Sequence, residues 1–114
     1  MMDVERSFAL LIQRATDLPC RLDVPAERPE EFITMTLSAT DADCFKRSVR
    51  LTVQSWAKTR KRAQEIASLV ETCCSAFEEE VNIFSCVPDG TYRWDDPETN
   101  TPRYQTNVNI QICE

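Results

Sequence analysis

The chain has 114 residues, of which 42% are hydrophobic and 28% are charged, and its formal net charge is −6. This length and composition are typical of one folded domain, so we expect a single domain over residues 1–114. The acidic balance argues against broad binding to nucleic acid, which needs clustered lysine and arginine. No apolar run is long enough to span a bilayer, and acidic residues stand where a secretory signal would be basic and then apolar. We therefore expect a cytosolic protein that does not enter a membrane.

The first segment of the chain predicts a helix followed by a short strand. Residues 3–16 carry apolar side chains at helical spacing, and Asp3 is a candidate N-cap. The helix should end before Pro19, because proline disfavours a helical conformation in the residue before it. Residues 20–24 then alternate as a short strand. The predicted buried face of the helix consists of Val4, Phe8, Leu11, Ile12 and Ala15.

Two further strands are predicted before the middle of the chain. Residues 31–40 favour a strand that buries mainly its odd-numbered side, with Ile33, Met35 and Leu37. Residues 39–48 are polar and predict a connection. Residues 49–54 alternate regularly, which indicates a strand with its apolar side chains inward.

A long second helix is the clearest element in the sequence. It is predicted from Ala57 to about Glu80 and contains no glycine or proline. Its apolar stripe has the three-four spacing of a helix face that packs on a core. The stripe consists of Ala63, Ile66, Ala67, Val70, Cys73, Cys74 and Phe77.

Two strands close the chain. Residues 81–87 alternate, with Val81, Ile83, Ser85 and Val87 predicted on one face and Phe84 and Cys86 on the other, and Pro88-Asp89-Gly90 predicts a turn. Residues 104–113 predict a last strand with Val108, Ile110 and Ile112 buried. The order α-β-β-β-α-β-β predicts an α+β fold, with a mostly antiparallel sheet of about five strands and two helices packed on one face.

The sequence offers little of the usual equipment of an enzyme. Histidine, the common general base near neutral pH, is absent. A phosphate-binding loop needs several glycines, and the chain has only Gly90. Six cysteines are expected to be free thiols, because the compartment is reducing and their neighbours are mostly apolar. No CxxC pair and no histidine complete a zinc site, so we expect neither a metal nor a cofactor.

Asp95 and Asp96 leave one catalytic alternative open. Paired carboxylates bind divalent cations in metal-dependent nucleases. The same Asp-Asp-Pro-Glu segment is also ordinary turn composition, because aspartate hydrogen-bonds to nearby backbone and Pro97 fixes the bend. The turn is the favoured interpretation.

The second helix carries its charges against its own dipole. Lys58, Arg60, Lys61 and Arg62 lie at its start, whereas Glu78, Glu79 and Glu80 lie at its end. A helix dipole favours the reverse order. Either this is a solvated face whose small penalties are tolerated, or the basic end of one copy pairs with the acidic end of the next.

Two stretches of the sequence resemble tail terminator proteins, also called tail completion or minor tail protein U-like proteins, of long-tailed bacteriophages. The stretches are VRLTVQSWAKTRKRAQEIASLVETC and DGTYRWDDPETNTPRYQTNVNIQI. In that family a strand that ends in an aromatic residue leads into a helix beginning Lys-Thr-Arg. A late Trp-Asp-Asp-Pro and Pro-Arg-Tyr loop precedes the last strand. The resemblance covers residues 49–112, and before them only the order of elements is similar.

The resemblance implies a structural role and no catalysis. Proteins of this family form a hexameric ring that caps the tail tube, ends its polymerisation and offers a surface to the neck, with DNA passing through the lumen. The chain would then be assembled in the bacterial cytoplasm and reside in the virion tail, with copies of itself, the tail tube protein and the neck protein as partners. The isolated chain is expected as a ring or as a monomer. A head-to-tail connector of the neck is the alternative from the same context.

Most of the candidate interface residues lie in these two stretches, and three acidic candidates lie at the end of the second helix. Tyrosine, tryptophan and arginine are enriched at interface hot spots, which favours a docking surface in the aromatic loop. The alternative is that Trp94 folds back to seal the core edge of its own domain. The candidates are Trp56, Lys58, Arg60, Lys61, Arg62, Glu78, Glu79, Glu80, Tyr92, Arg93, Trp94, Asp95, Arg103 and Tyr104.

Overall fold

The computed structural model describes residues 3–42 and 46–113, so the predicted free thiol of Cys44 lies outside the described residues. The elements follow the predicted order of one helix, three strands, a second helix and two strands. They are α1 (Val4–Thr16), β1 (Cys20–Arg21), β2 (Phe32–Ala42), β3 (Lys46–Trp56), α2 (Arg60–Phe77), β4 (Ile83–Arg93) and β5 (Arg103–Cys113).

The strands form one mixed sheet in the order β1-β2-β3-β5-β4. β1 pairs with β2 in parallel, and every other pair of neighbours is antiparallel. Both helices pack on the face that carries Val49, Leu51 and Val53, where the residues of one core cluster are almost fully buried. The predicted α+β architecture, with five strands and two helices on one face, is confirmed.

The first helix begins at the predicted cap, Asp3, whereas the second begins at Arg60, after a cap at Thr59 that was not predicted. The carboxylate of Asp3 accepts a hydrogen bond from the Arg6 N–H at 3.2 Å, and the hydroxyl of Thr59 does the same for Arg62 at 3.2 Å. α2 is shorter than predicted, but every member of its apolar stripe is buried. On α1 the buried face includes Ala9 rather than Ala15, which is exposed.

β2 and β3 are longer than the sequence predicts. Residues 39–42 and 46–48 continue these strands, so the predicted polar connection is wrong over those positions. Residues 39–42 pair with residues 47–50 in the ladder between the two strands, and this backbone pairing needs no apolar side chain. β2 also buries both faces at its start, because Phe32 and Thr34 lie beneath Trp56 on the face opposite the helices, whereas Leu37 is 43% exposed.

The predicted turn at Pro88-Asp89-Gly90 is wrong, because these residues lie within β4. β4 is an edge strand, where proline is tolerated since one side of the strand needs no donor. Gly90 has φ +93°, and one extra residue is inserted between Pro88 and Thr91 as a β-bulge. A second bulge between Ile83 and Ser85 breaks the predicted alternation, so Ile83 and Cys86 are both buried.

The cysteines within the described ranges are free thiols, as predicted. Cys20, Cys73, Cys74 and Cys86 are buried, and Cys113 is exposed. Burial raises the pKa of the Cys20 thiol to about 12, and a hydrogen bond with Cys74 raises that of Cys86. The Cys20 and Cys86 thiols are therefore protonated at neutral pH and pack as small apolar groups. Over the part of the chain that the structure describes, no helix is long and apolar enough to span a membrane.

Candidate interaction surface at the aromatic end of the sheet

The two stretches singled out in the sequence, residues 49–73 and 89–112, meet at one end of the sheet. Trp56, the last residue of β3, is paired with Arg103, the first residue of β5. The Ala57 N–H donates to the Pro102 carbonyl at 3.3 Å. The start of α2 and the loop 94–102 therefore lie side by side. We call this region the aromatic end; it comprises Trp56, the first turn of α2, Tyr92 and residues 93–104.

Trp56 lies inside the domain and is only 2% exposed. Its ring stacks on Phe32 with centroids 5.0 Å apart, and the Arg103 guanidinium lies 4.7 Å from the ring centroid. Arg28 approaches the same ring at 5.3 Å, and the indole N–H donates to Thr34 Oγ1 at 3.0 Å. Because its surface and its polar group are both used within the chain, Trp56 holds the aromatic end together and is not itself available to a partner.

A row of hydrogen-bonded side chains runs across the sheet from Thr34, beside Trp56, to the exposed edge strand β4. Thr34 Oγ1 donates to Gln54 Oε1 at 3.3 Å, and Gln54 Nε2 donates to Gln105 Oε1 at 3.1 Å. Gln105 Nε2 then donates to the hydroxyl of Tyr92 at 2.5 Å. The row crosses β2, β3, β5 and β4, so the ring of Tyr92 is fixed by a hydrogen-bonded network.

Tyr92 and Trp94 form an exposed aromatic pair. They are 41% and 50% exposed, and their ring centroids are 6.2 Å apart. Two hydrogen bonds fix the backbone below them: the Trp94 N–H donates to the Arg103 carbonyl at 2.9 Å, and Arg103 Nε donates to the Trp94 carbonyl at 2.8 Å. Trp94 therefore does not seal the core edge, a role that Trp56 fills. The pair is held in place with half of its surface facing solvent.

Asp95 and Asp96 point to different partners. The Asp95 carboxylate accepts from Arg93 at 2.8 Å, and this hydrogen bond lowers the pKa of Asp95. Asp96 is buried and accepts from Thr99 Oγ1 at 2.7 Å, from the Glu98 N–H at 3.2 Å and from Arg28 at 3.4 Å. The Thr99 hydrogen bond is the main reason that the pKa of Asp96 is lowered. Both carboxylates are thus used to build the loop.

No group of three or more potential metal ligands occurs within the described residues. The arrangement at Asp95 and Asp96 is that of a turn in which aspartate satisfies nearby backbone and side-chain donors. The loop therefore provides no metal-binding geometry for a nuclease that would use Asp95 and Asp96.

The cations at the start of α2 divide into two groups. Lys58 pairs with Glu30 at 2.8 Å, and Arg62 pairs with Glu31 at 2.6 Å and with Glu65 at 3.2 Å. Arg60 and Lys61 are exposed and form no ion pair with the described residues. Both are open to an acidic group of a partner, and Arg60 also helps to lower the pKa of Asp95.

Glu78, Glu79 and Glu80 follow α2 at the opposite end of the sheet and are exposed. The Glu78 carboxylate accepts a hydrogen bond from the Cys86 N–H at 3.0 Å, which ties the helix end to β4. Glu79 and Glu80 form no ion pair within the described ranges. Arg103 is buried, and Tyr104 packs partly against the core, so neither presents much surface at the aromatic end.

Sequence reasoning missed two contributors to this region. Arg28 and Phe32 build the enclosure of Trp56, and their distance along the chain gives no signal of that contact. The exposure of Phe84 and Val87 was also not predicted, because the bulges of β4 have no periodic signature, and neither was that of Val81, which precedes the strand.

No protein-family model matches this chain, and a search of curated proteins likewise gives no match.

Proposed function

We propose that this chain is a structural subunit of a phage or prophage tail, a tail terminator that assembles as a ring on the end of the tail tube. In this role it ends tube polymerisation and offers the surface to which the neck of the head attaches. The proposal is supported by the resemblance over residues 49–112. The observation that carries it is the exposed Tyr92–Trp94 pair, which lies where the two resembling stretches meet.

The physical reason is that this pair has the properties of an interface hot spot. Tyr92 and Trp94 are large and partly apolar, and both are fixed before any partner arrives. Burying rigid side chains on association costs little conformational entropy. Tyrosine and tryptophan also lead the residue types whose truncation weakens protein interfaces most.

The surroundings of the pair favour recognition over catalysis. Arg93 and Asp95 neutralise each other beside it, while Arg60 and Lys61 add open positive charge. Such a surface discriminates partners by shape and charge, and we propose no covalent chemistry there. The proposed partners are further copies of the chain, the tail tube protein and the neck protein, with DNA passing only through the lumen of the ring.

A tube-length assay tests this function. Tail tube protein encoded by the same genome is polymerised with and without this chain, and tube lengths and end-bound protein are measured by electron microscopy. We expect shorter tubes of narrower length distribution, with this chain at one end. Unchanged tubes and unbound protein would contradict the proposal. Binding to isolated head-neck particles without binding to tubes would instead identify a connector.

A further inference from the structure

The two edges of the sheet differ in how well they are closed to another strand. The sheet order places β4 at one edge, and β2 at the other edge beyond the two residues of β1. The outer side of an edge strand presents N–H and C=O groups that a further strand can bind. Proteins that keep an edge closed use proline, bulges, charges or a covering segment for this purpose.

The β4 edge is closed by several such features. The N–H of Cys86 donates to Oε1 of Glu78 at 3.0 Å, so a side chain already occupies this donor. Pro88 has no N–H, and two bulges interrupt the strand on either side of Cys86 and Pro88. Residues 83–91 therefore do not offer a regular row of donors and acceptors to another chain.

The β2 edge is open along most of its length. β1 pairs with β2 only at Ile33 and Thr34, so residues 35–42 have no strand on their outer side within the described ranges. The Ile33 N–H points to this outer side, where it donates to the Pro19 carbonyl at 2.8 Å. Because successive N–H groups of a strand point in opposite directions, the Leu37 N–H points outward as well. The bulge after Leu37 lies in the ladder with β3, on the inner side of the strand, so it does not cap the outer groups.

The sequence of β2 does not close this edge either. Residues 32–40, FITMTLSAT, contain no charged residue, no proline and no glycine, and the first charge after Phe32 is Asp41. The segment is rich in threonine and includes phenylalanine and isoleucine, which favour strands. Uncharged segments of high β-propensity pair readily with another strand. Such an edge invites aggregation when it is left exposed, and it serves as a binding site when a partner strand covers it.

The side chains beside the open edge define what an added strand would carry. Leu37 and Leu51 are paired on the helix side of the sheet, yet Leu37 is 43% exposed whereas Leu51 is fully buried. On the opposite face, Thr36 is exposed. Directly opposed side chains of neighbouring strands contact each other. An apolar residue beside Leu37 and a small polar residue beside Thr36 would therefore suit this edge.

A second copy of the chain is a poor source of this strand. Its β4 edge is closed, which leaves only its β2. The chain reverses between α1 and β1, where Gln13 Nε2 donates to the Cys20 carbonyl at 3.5 Å, so α1 starts beyond β1, beside the open part of β2. Pairing two β2 strands about a two-fold axis would bring two helix starts together on one face. Each start carries two acids, Asp3 and Glu5, against one base, Arg6, and this like net charge disfavours the pairing.

The open part of β2 leads away from the aromatic end. Phe32, the first residue of β2, stacks on Trp56 at that end, and residues 35–42 continue towards the opposite end of the sheet. A tail terminator meets the tube at one end and the neck at the other, and the aromatic end is the candidate surface for the tube. We infer that an extended segment of the neck protein binds along residues 35–42 as an additional strand of the sheet. The inference rests on the proposed function for the identity of this partner, whereas the open edge does not depend on it.

Amide hydrogen exchange tests whether a strand is added. Exchange is measured residue by residue in the isolated chain and in its mixture with the purified neck protein of the same genome. We expect the Leu37 amide, which points outward, to exchange at least tenfold more slowly in the mixture. The Thr36 amide points towards β3 and serves as the internal control, with slow exchange in both samples. Binding without protection of Leu37 would overturn the inference, as would the absence of binding.

A charge at the open edge tests the same contact by affinity. Leu37→Lys introduces the kind of residue that closes strand edges, so we expect at least tenfold weaker binding of the neck protein. Leu69→Lys is the matched control, because Leu69 is 39% exposed on α2, which packs over β3, β4 and β5. Equal affinity of the two variants would contradict the assigned edge. Circular dichroism verifies folding, and Thr36→Lys replaces Leu37→Lys if that variant unfolds.

The tube-length assay separates this inference from the proposed function. A chain that shortens tubes but shows no protection of Leu37 by the neck protein keeps its capping role and loses the strand site. A chain that binds the neck protein through β2 and leaves tubes unchanged keeps the strand site and loses the capping role. Self-association that Leu37→Lys abolishes, without binding of the neck protein, would show that a second copy occupies the edge and would overturn the inference.

Discussion

The aromatic end contains matched pairs of residues, one turned inward and one turned outward. Trp56 is 2% exposed and Trp94 is 50% exposed, although both were predicted as interface residues. Asp96 is buried among three donors, while its neighbour Asp95 pairs with Arg93 at the surface. Arg62 bridges two glutamates, whereas Arg60 has no ion pair with the described residues. Residue type alone does not separate the members that build the domain from those that are open to a partner.

The largest expected effect concerns the two tryptophans. We expect Trp56→Ala to lower the free energy of unfolding by about 3–5 kcal/mol, because it removes a fully packed ring and leaves the Thr34 hydroxyl without its donor. Trp94→Ala should lower it by only about 1 kcal/mol, because the half-exposed ring loses its contacts with Tyr92 and Arg103 but leaves no cavity in the core. Denaturant unfolding of both variants measures the difference. Equal losses would show that the inner and outer positions are not distinct.

The second-largest expected effect is a difference in stability between variants of the two aspartates. We expect Asp96→Ala to cost about 1.5–3 kcal/mol at neutral pH, because it leaves the donors of Thr99 and the Glu98 N–H without their acceptor. Since folding lowers the pKa of Asp96, its contribution is complete above about pH 4 and is lost as the pH falls through the lowered value. The deficit of the variant should therefore shrink on acidification. A deficit independent of pH would contradict the assigned role, and Asp95→Ala is the matched surface control.

The two arginines give a smaller contrast. Arg62→Glu should lower the thermal midpoint slightly, because it places like charge beside Glu31 and Glu65. Arg60→Glu should leave the thermal midpoint unchanged, because Arg60 forms no ion pair with the described residues. It should weaken assembly or tube binding, because the positive charge of Arg60 is exposed to a partner. Differential scanning calorimetry and the tube-length assay separate the two effects. A reversed pattern would show that the ion pairs of Arg62 lie in a contact between copies.

The smallest effect on folding should accompany the largest effect on binding. Trp94→Ala is expected to fold normally yet to bind tubes at least tenfold more weakly, as a truncated hot-spot residue does. Pelleting of labelled protein with tubes measures the affinity. Leu69→Ala offers an exposed apolar control outside the aromatic end, and equal affinity of both variants would remove Trp94 from the binding surface.

The regular elements of this fold could be predicted from the sequence. The stripe of α2 from Ala63 to Phe77 and the alternation of Val49, Leu51 and Val53 directly reflect which face is buried. β4 could not be predicted in detail, because its bulges insert residues that reset the alternation at Ile83 and at Pro88. A Pro-Asp-Gly segment is typical of a turn, and only its position on an edge strand explains why it is extended here.

The sequence predicted which residues belong to the candidate site, but not which of them pack inside the domain and which face solvent. The sequence placed Trp56 and Trp94 among the interface candidates, and the structure separates them through contacts with Phe32, Arg28 and Arg103 that are distant along the chain. Pairing of Lys58 and Arg62 within the chain likewise depends on the loop 22–31, whose position has no local signal. The spacing of apolar residues shows which face of a helix or strand is buried. Polar contacts between residues that are far apart in the chain produce no such periodic pattern.

Electron microscopy of the purified wild-type chain tests the central claim most directly. We expect annular particles with a uniform number of subunits, present at high protein concentration or on the ends of tail tubes. A protein that forms no closed assembly under either condition, or that turns over a substrate through an acidic or thiol side chain, would contradict it.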